Sequence, residues 1–236
     1  MKKFFALIVI LLAILAVLLN FVLPRTVANI LEEQIANATA AEYVDVILSS
    51  NPNAKIAVGE IEKIHATADA GKFGDINFKN LTLDGEKLSL DVPEMLFPGK
   101  NLTAADRVHK ILKHADKIEL HGTITQDALR NYIVERENKL ESPVIKITPT
   151  AINASARAKF LGRNIDFEVS GVLAVVNGDV YFNATHIDTN SILRRVNLDT
   201  FIADVKILDS SKLPLGLKYD SVELRDGEIV VTAIRR

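Results

Sequence analysis

The chain of 236 residues carries 28 basic and 30 acidic side chains, and its formal net charge is −2 at pH 7. That balance lacks the basic footprint that nucleic-acid binding needs, so we exclude nucleic acid as a partner. There is no cysteine, which excludes disulfides, thiolate catalysis and cysteine-ligated zinc.

The first apolar stretch, Phe4–Leu23, is uncharged, and Asn20 is its only polar side chain. As a helix it would be about 30 Å long, which matches the hydrocarbon core of a bilayer. Lys2 and Lys3 precede it, so the positive-inside rule places the N-terminus in the cytoplasm. We therefore predict a single-pass protein of the cell membrane. Residues 1–23 form a transmembrane signal-anchor, and residues 24–236 form one extracytoplasmic domain on the periplasmic or cell-surface side.

A cleaved signal peptide is the competing interpretation of this stretch. Its apolar region would span roughly 7–15 residues and end at a small-x-small cleavage site. The stretch here is longer, and the nearest such site, Ala38-Thr39-Ala40, lies far beyond Leu23. The length favours an anchor that is retained.

A helix is predicted after Pro24, because apolar residues from Val27 to Ala41 fall on one stripe at helical spacing. We expect a break near Ala41 and a second helical piece over Tyr43–Leu48.

After this segment, apolar residues recur at every second position, which is typical of strands. One dry face holds Ile64, Ala66, Ala68 and Ala70. The next strand changes phase after Phe78, which predicts a bulge near Asn80, and a four-residue turn is expected at Asp84–Lys87.

A short helix with a basic side is predicted from Thr103 to about Ala115, followed by a strand over Lys117–Ile124. Thr125 is expected to cap another helix that stops before Pro143.

The last ninety residues are predicted to be mostly hairpins. A turn over Leu161–Asn164 would pair Phe160 with Ile165, and tight turns are expected at Asn177-Gly178 and Asp226-Gly227. The pattern predicts an α+β domain in which a long N-terminal helix packs in a strongly curved, mostly antiparallel sheet of hairpins.

No catalytic motif is recognisable in the sequence, and no cofactor or metal is predicted. The unusual feature is alanine on the dry faces, in one column over Ala66–Ala70 and another over Ala154–Ala158. Close packing of a helix on the sheet would explain them, and so would a groove that accepts an acyl chain. On the second interpretation, the candidate lipid contacts are Ile64, Ala66, Ala68, Phe78, Leu120, Ile152, Ala154, Ala156, Ala158, Phe160, Phe167, Val169 and Phe182.

The basic helix also has two interpretations. Its cations are either solvated surface or contacts to anionic headgroups, in which case Arg107, Lys110 and Lys113 would meet the membrane.

Three segments together resemble one protein family. They are the strand-then-helix run Lys117–Ile133, the hairpins around Gly162 and Asn177-Gly178, and the ending from Leu213 to Ala233. Over residues 24–236 the chain resembles the LmeA-like family of phospholipid-binding proteins of bacterial envelopes. The resemblance implies a tubular lipid-binding type of fold, phospholipid binding and no catalysis, and it supplies no site residue.

The expected function is therefore to hold or transfer phospholipid, or another acyl-chain lipid, at the membrane. The alternatives are a non-catalytic envelope scaffold with a closed core, and a hydrolase of lipid-linked sugars.

Overall fold

The computed structural model describes residues 10, 12–96, 110–136, 140–160, 163–189 and 205–235. The chain divides into two compact units. The first unit comprises Met1–Asp69, Thr82–Glu119 and Arg235–Arg236, and the second comprises Ala70–Leu81 and Leu120–Ile234. The helices and strands are α1 (Leu23–Thr39), β1 (Val44–Ser49), β2 (Glu60–Phe73), β3 (Ile76–Leu90), α2 (Val92–Leu96), β4 (Leu112–His114), β5 (Lys117–Thr125), α3 (Gln126–Arg136), β6 (Leu140–Ile147), β7 (Ile152–Phe160), β8 (Arg163–Val176), β9 (Asp179–Thr189), β10 (Val205–Leu208), β11 (Lys218–Arg225) and β12 (Glu228–Arg235).

Helix α1 continues without interruption from the apolar turns before it, so that one helix runs over Leu12–Thr39. The turn at Leu18–Val22 is π-helical, and Pro24, which has no main-chain N–H, follows it directly in the first turn of α1. The helix ends at Ala40, which takes a left-handed conformation with φ of 53°. The helix predicted after Pro24 is confirmed.

The second helical piece predicted over Tyr43–Leu48 is wrong, because Val44–Ser49 forms strand β1. Burial alternates along it, with Val46 and Leu48 buried, and it pairs antiparallel with β2. As an edge strand, β1 has N–H groups that its neighbour does not use, and Glu32 of α1 accepts from the N–H of Val46 at 3.1 Å. Sheet pairing and this helix contact decide the conformation of a segment whose sequence also allows a helix.

Strands β2 and β3 form a long hairpin whose turn includes Gly74. The dry face of β2 is as predicted at Ile64, Ala66 and Ala68, but Ala70 is exposed. In β3 the buried positions change phase at Asn80, whose φ is 51°, in agreement with the predicted irregularity.

The turn predicted at Asp84–Lys87 is also wrong, because β3 runs through it to Leu90. Gly85 is buried there, and a Cβ on it would come within 2.7 Å of a methyl of Ile64 and 3.2 Å of one of Leu88. Glycine is needed because the strand passes these side chains closely. The Asp-Gly dipeptide therefore marks a close approach within a strand.

The predicted basic helix lies largely outside the described residues, since they omit 97–109 and with them Thr103 and Arg107. Its described end stops at Ile111, and Leu112–His114 pairs with β3 as strand β4, so the helix does not reach Ala115. Strand β5 is confirmed, and Thr125 caps α3 by accepting from the N–H of Ala128 at 3.2 Å.

A five-stranded antiparallel sheet, in the order β10-β9-β8-β7-β6, makes up much of the second unit. Phe160 pairs with Arg163 rather than Ile165, so the predicted register of β7 and β8 is wrong by two residues. An even shift leaves every side chain on its predicted face. The turns at Asn177-Gly178 and Asp226-Gly227 are confirmed, with residues on either side of each turn paired as expected.

The other sheet has the strand order β1-β2-β3-β5-β12-β11, with β4 added beside β3. The predicted fold class is confirmed: the chain is α+β, with a long N-terminal helix followed by mostly antiparallel sheets, one of them strongly curled.

Candidate functional site: an apolar face that opens along the second sheet

The inner face of the five-stranded sheet is built from cross-strand rows of apolar side chains. The register places Ile147, Ile152 and Gly171 in one row and Ile145, Ala154 and Val169 in the next. A third row sets Ala156 opposite Phe167. These rows follow from period-two alternation, which keeps one face of each strand apolar.

One end of this face is closed. Ile147 and Ile152 are 1% and 3% exposed, and Val180 is fully buried. Gly171 is covered by the ring of Phe182, because a Cβ on it would lie 2.5 Å from Cζ of that ring. No space for a ligand remains at this end.

The other end of the same face is open. Val169 is still buried, but Ala154 and Ala156 on β7 and Phe167 on β8 are only half-buried. Alanine leaves a shallow surface where strands usually carry larger residues. The face therefore changes from closed core to accessible apolar surface along the strand direction.

An open cavity of 450 Å³ lies at this end, and its wall includes Ala156 and Phe167. It lies where β6 bulges between Glu141 and Val144, with Ser142 at φ of 49°. The rest of its wall is polar and consists of Glu141, Ser142, Ser155, Arg157, Asp166 and Glu168.

Arg157 and Asp166 are cross-strand partners on the face of β7 and β8 opposite to Ala156 and Phe167, and they form an ion pair with 2.6 Å between Nε and Oδ1. The hydrogen bond that Arg157 donates to Asp166 raises the pKa of Arg157 above its ordinary value, so this cation stays charged at any physiological pH. The cavity thus borders residues of both faces of the sheet, and most of its wall is polar.

A second cavity, of 570 Å³, lies elsewhere in the second unit. Its walls come from the tip of the β2–β3 hairpin, the end of α3, β10 and β11, and include Phe73, Tyr132, Arg136, Lys206, Lys212 and Tyr219. Burial raises the pKa of Tyr219 above its usual range, so its hydroxyl stays protonated. Sequence reasoning missed this cavity, because its residues come from four separate segments and no local pattern links them.

Asp179 fastens β10 beside this second cavity. It accepts from the N–H and the hydroxyl of Ser210 at 2.8 and 2.7 Å and from Lys206 at 3.2 Å. Burial by itself would raise the pKa of Asp179, but these hydrogen bonds outweigh it and the pKa is lowered. The group is ionised at neutral pH, where its bonds hold the strand in place.

The predicted lipid contacts are divided between the two units. Ile64, Ala66 and Ala68 are buried within the first unit. Phe78 and Leu120 are buried in the second unit, as are Ile152, Val169 and Phe182. Ala154, Ala156 and Phe167 are the accessible members, while the side chains of Ala158 and Phe160 lie outside the description. The residues that remain available to a ligand without rearrangement are therefore those at the open end of the second sheet.

Of the predicted headgroup contacts, Lys110 and Lys113 are exposed in the first unit, and Lys113 pairs with Asp91 at 2.9 Å. Arg107 lies outside the described residues. Among the residues that the structure describes, no group of His, Asp and Glu has the arrangement of a metal site.

A model of the LmeA-like phospholipid-binding family matches residues 18–234, which is nearly the whole chain. No curated protein and no solved structure matches the chain.

Proposed function

Because the chain belongs to the LmeA-like phospholipid-binding family, we propose that it is a membrane-anchored, extracytoplasmic protein that holds or transfers phospholipid in the cell envelope. The role is a binding role without catalysis. The lipid partner is a phospholipid or another lipid with acyl chains.

The N-terminal helix supports the membrane part of this proposal. Its length of 28 residues and its apolar composition suit either a membrane span or a signal sequence. Apolar side chains such as Leu12, Val17 and Phe21 are about half or more exposed, as expected for residues that meet lipid. In the proposed arrangement the helix stays attached, with its start in the cytoplasm.

The main support for lipid binding comes from the inner face of the five-stranded sheet. Its side chains are buried at one end of the strands and partly exposed at the other. We assign the acyl chain to the open end, over Ala154, Ala156 and Phe167. Each buried methylene contributes about 0.8 kcal/mol, so ten of them would contribute roughly 8 kcal/mol. Side chains as small as alanine leave room for such a chain, and the polar side chains that border the 450 Å³ cavity at the same end of the sheet suit a headgroup.

Photo-crosslinking of the full chain tests this assignment. The protein is reconstituted in vesicles that contain a phosphatidylcholine with a diazirine in one acyl chain, and cross-linked peptides are identified by mass spectrometry. We expect adducts on the peptides of β7 and β8 in addition to the N-terminal helix.

Adducts on the N-terminal helix are the internal control, because that segment meets acyl chains whenever it is embedded. Adducts confined to it would contradict the lipid site and favour a scaffold with a closed core. Failure of the helix to react would contradict the anchor, and adducts on β7 and β8 would then still support the lipid site.

A further inference from the structure

The segment that joins β1 to β2 contacts the N-terminal helix close to the end of its apolar stretch. Asn53 donates its side-chain N–H to the main-chain carbonyl of Asn20, with 3.0 Å between Nδ2 and O. In a regular α-helix that carbonyl would accept from the N–H of residue 24, which is Pro24 and has none. Because Leu18–Val22 is a π-helical turn and residue 24 is proline, this carbonyl has no i+4 donor, and Asn53 gives it one from outside the helix.

This contact lies at the edge of the proposed membrane span. Asn20 precedes Leu23, the last residue of the apolar stretch, by three residues, or about 4.5 Å along a helix. A main-chain carbonyl at that depth needs a donor from the protein, because the hydrocarbon core supplies no water. The Asn53 side chain must then lie at the depth of the headgroups or just below them.

The path of the chain explains how this segment returns to the membrane. Helix α1 rises about 25 Å over Leu23–Thr39, and β1 runs back along it, with Glu32 bonded to Val46 partway. At the end of β1 the N–H of Ser50 donates to Oδ1 of Asn53 at 3.1 Å. The chain thus comes back to the start of α1.

The returning segment presents apolar surface to the outside. A 3₁₀-helical turn covers Asn53–Val58, in which Ile56 is buried and holds the turn in place. Val58 is 70% exposed. Lys55 pairs with Glu62 at 3.2 Å, and the exposed apolar residues of the turn are Ala57 and Val58.

Cations lie nearby in the same unit. The carbonyl of Gly59, which follows the turn, accepts from Leu90 at 2.8 Å, and Asp91 donates its N–H to Ile111 at 2.7 Å. These bonds bring the exposed Lys110, and Lys113 with its partner Asp91, to the same end of β3 as the turn. An exposed lysine such as Lys110 beside an apolar turn suits the surface of an anionic bilayer.

We propose that the first unit docks on the surface of the bilayer its own anchor enters, through the 3₁₀-helical turn Asn53–Val58, with Val58 inserted at the boundary of headgroups and acyl chains. The proposal rests on the membrane anchor of the proposed function. It gives the anchor a second role, since the helix then fixes the orientation of the first unit at the membrane.

Tryptophan fluorescence of the full chain in vesicles tests the docking, because the natural chain contains no tryptophan. Val58→Trp reports on the turn. Tyr43→Trp is the matched control, since Tyr43 is 62% exposed and lies at the other end of β1, about 20 Å away at roughly 3.3 Å per residue. Vesicles of phosphatidylcholine and phosphatidylglycerol carry bromine near the start of the acyl chains as quencher.

We expect Val58→Trp to emit at shorter wavelength than Tyr43→Trp and to lose intensity to brominated lipid, while Tyr43→Trp is quenched only by aqueous iodide. Equal quenching of both variants by iodide, with no effect of bromine, would overturn the docking. If brominated lipid quenches both variants, contact with the membrane is not confined to the turn Asn53–Val58, and that part of the proposal is overturned. Resistance of the protein to extraction by alkaline carbonate establishes the anchor separately, and the photo-crosslinks on β7 and β8 report separately on lipid binding.

A second substitution probes the contact itself. Asn53→Asp keeps the acceptor for Ser50 but removes the donor to Asn20. In the Val58→Trp background it should reduce quenching by brominated lipid and move the emission to longer wavelength. Unchanged quenching would overturn the role assigned to Asn53.

Discussion

Replacing Ala156 by phenylalanine separates an open lipid-binding face from a closed core. Ala156 is half-buried, lies opposite Phe167 and borders the 450 Å³ cavity. A ring added there has space to occupy, so we expect the free energy of unfolding to change by no more than about 0.5 kcal/mol. In a closed core the same ring would overpack, at a cost of about 1–3 kcal/mol.

Ala66→Phe is the matched control. Ala66 is also an alanine on the dry face of a strand, but it is only 5% exposed and lies opposite the buried Val46. We expect this variant to lose about 1–3 kcal/mol. That loss lowers the melting temperature by roughly 2–12 °C, at about 2–4 °C per kcal/mol in a domain of this size.

The assay uses residues 24–236 purified without detergent, as wild type and as each variant. Phospholipid per protein is measured by mass spectrometry, and the melting temperature is then measured on lipid-stripped samples. Ala156→Phe should melt close to wild type and carry less phospholipid, because the ring occupies the space of the acyl chain. If Ala156→Phe melts as far below wild type as Ala66→Phe does, and the wild type carries no lipid, the proposal of an open lipid-binding face is refuted.

Three further outcomes are expected. Intact mass of the protein from its native membrane should include the apolar helix, and a mature N-terminus between Pro24 and Ala41 would contradict a retained anchor. Changing Arg107, Lys110 and Lys113 together to glutamine should weaken flotation of residues 24–236 with anionic vesicles. The loss should be larger at low salt, since exposed charges are screened within about 10 Å at 0.1 M, and unchanged flotation at low salt would leave these cations as solvated surface. Gly171→Ala should destabilise the second unit by about 1–3 kcal/mol, because the added methyl meets an aromatic ring at 2.5 Å and a carbonyl oxygen at 2.4 Å, and a melting temperature equal to that of wild type would contradict this packing.

The features that local chemistry dictates could be predicted from the sequence. Asn177-Gly178 supplies the two positive φ angles, 55° and 90°, that a tight hairpin turn requires. Thr125 caps α3 with its own hydroxyl, which needs no distant partner. The alternation of apolar residues in β2, β7 and β8 likewise shows which face is buried. This prediction is correct for β7 and β8 even though their predicted pairing register is wrong.

The errors occur where distant pairing decides between two locally acceptable conformations. Val44–Ser49 contains residues that suit either a helix or a strand, and the neighbouring β2 and the side chain of Glu32 make it a strand. Asp84-Gly85 has the composition of a turn, but the side chain of Ile64 requires glycine at that point of a continuous strand.

The candidate site could be predicted only in part, for a related reason. The alternation identifies Ala154 and Ala156 as apolar-face residues, yet it predicts the buried Ala66 and Ala68 equally well. What distinguishes the two columns is how much of each is covered by other segments, and no local pattern contains that information. The turn Asn53–Val58 and its bond to Asn20 were missed because the two asparagines are 33 residues apart.

Native mass spectrometry of residues 24–236, expressed and purified without detergent, tests the central claim most directly. We expect a fraction of the wild-type protein to carry a bound phospholipid, identified by its mass and by its acyl-chain fragments. We expect that fraction to be smaller in Ala156→Phe. A folded domain that carries no lipid, and that acquires none on incubation with phospholipid vesicles, would contradict the account.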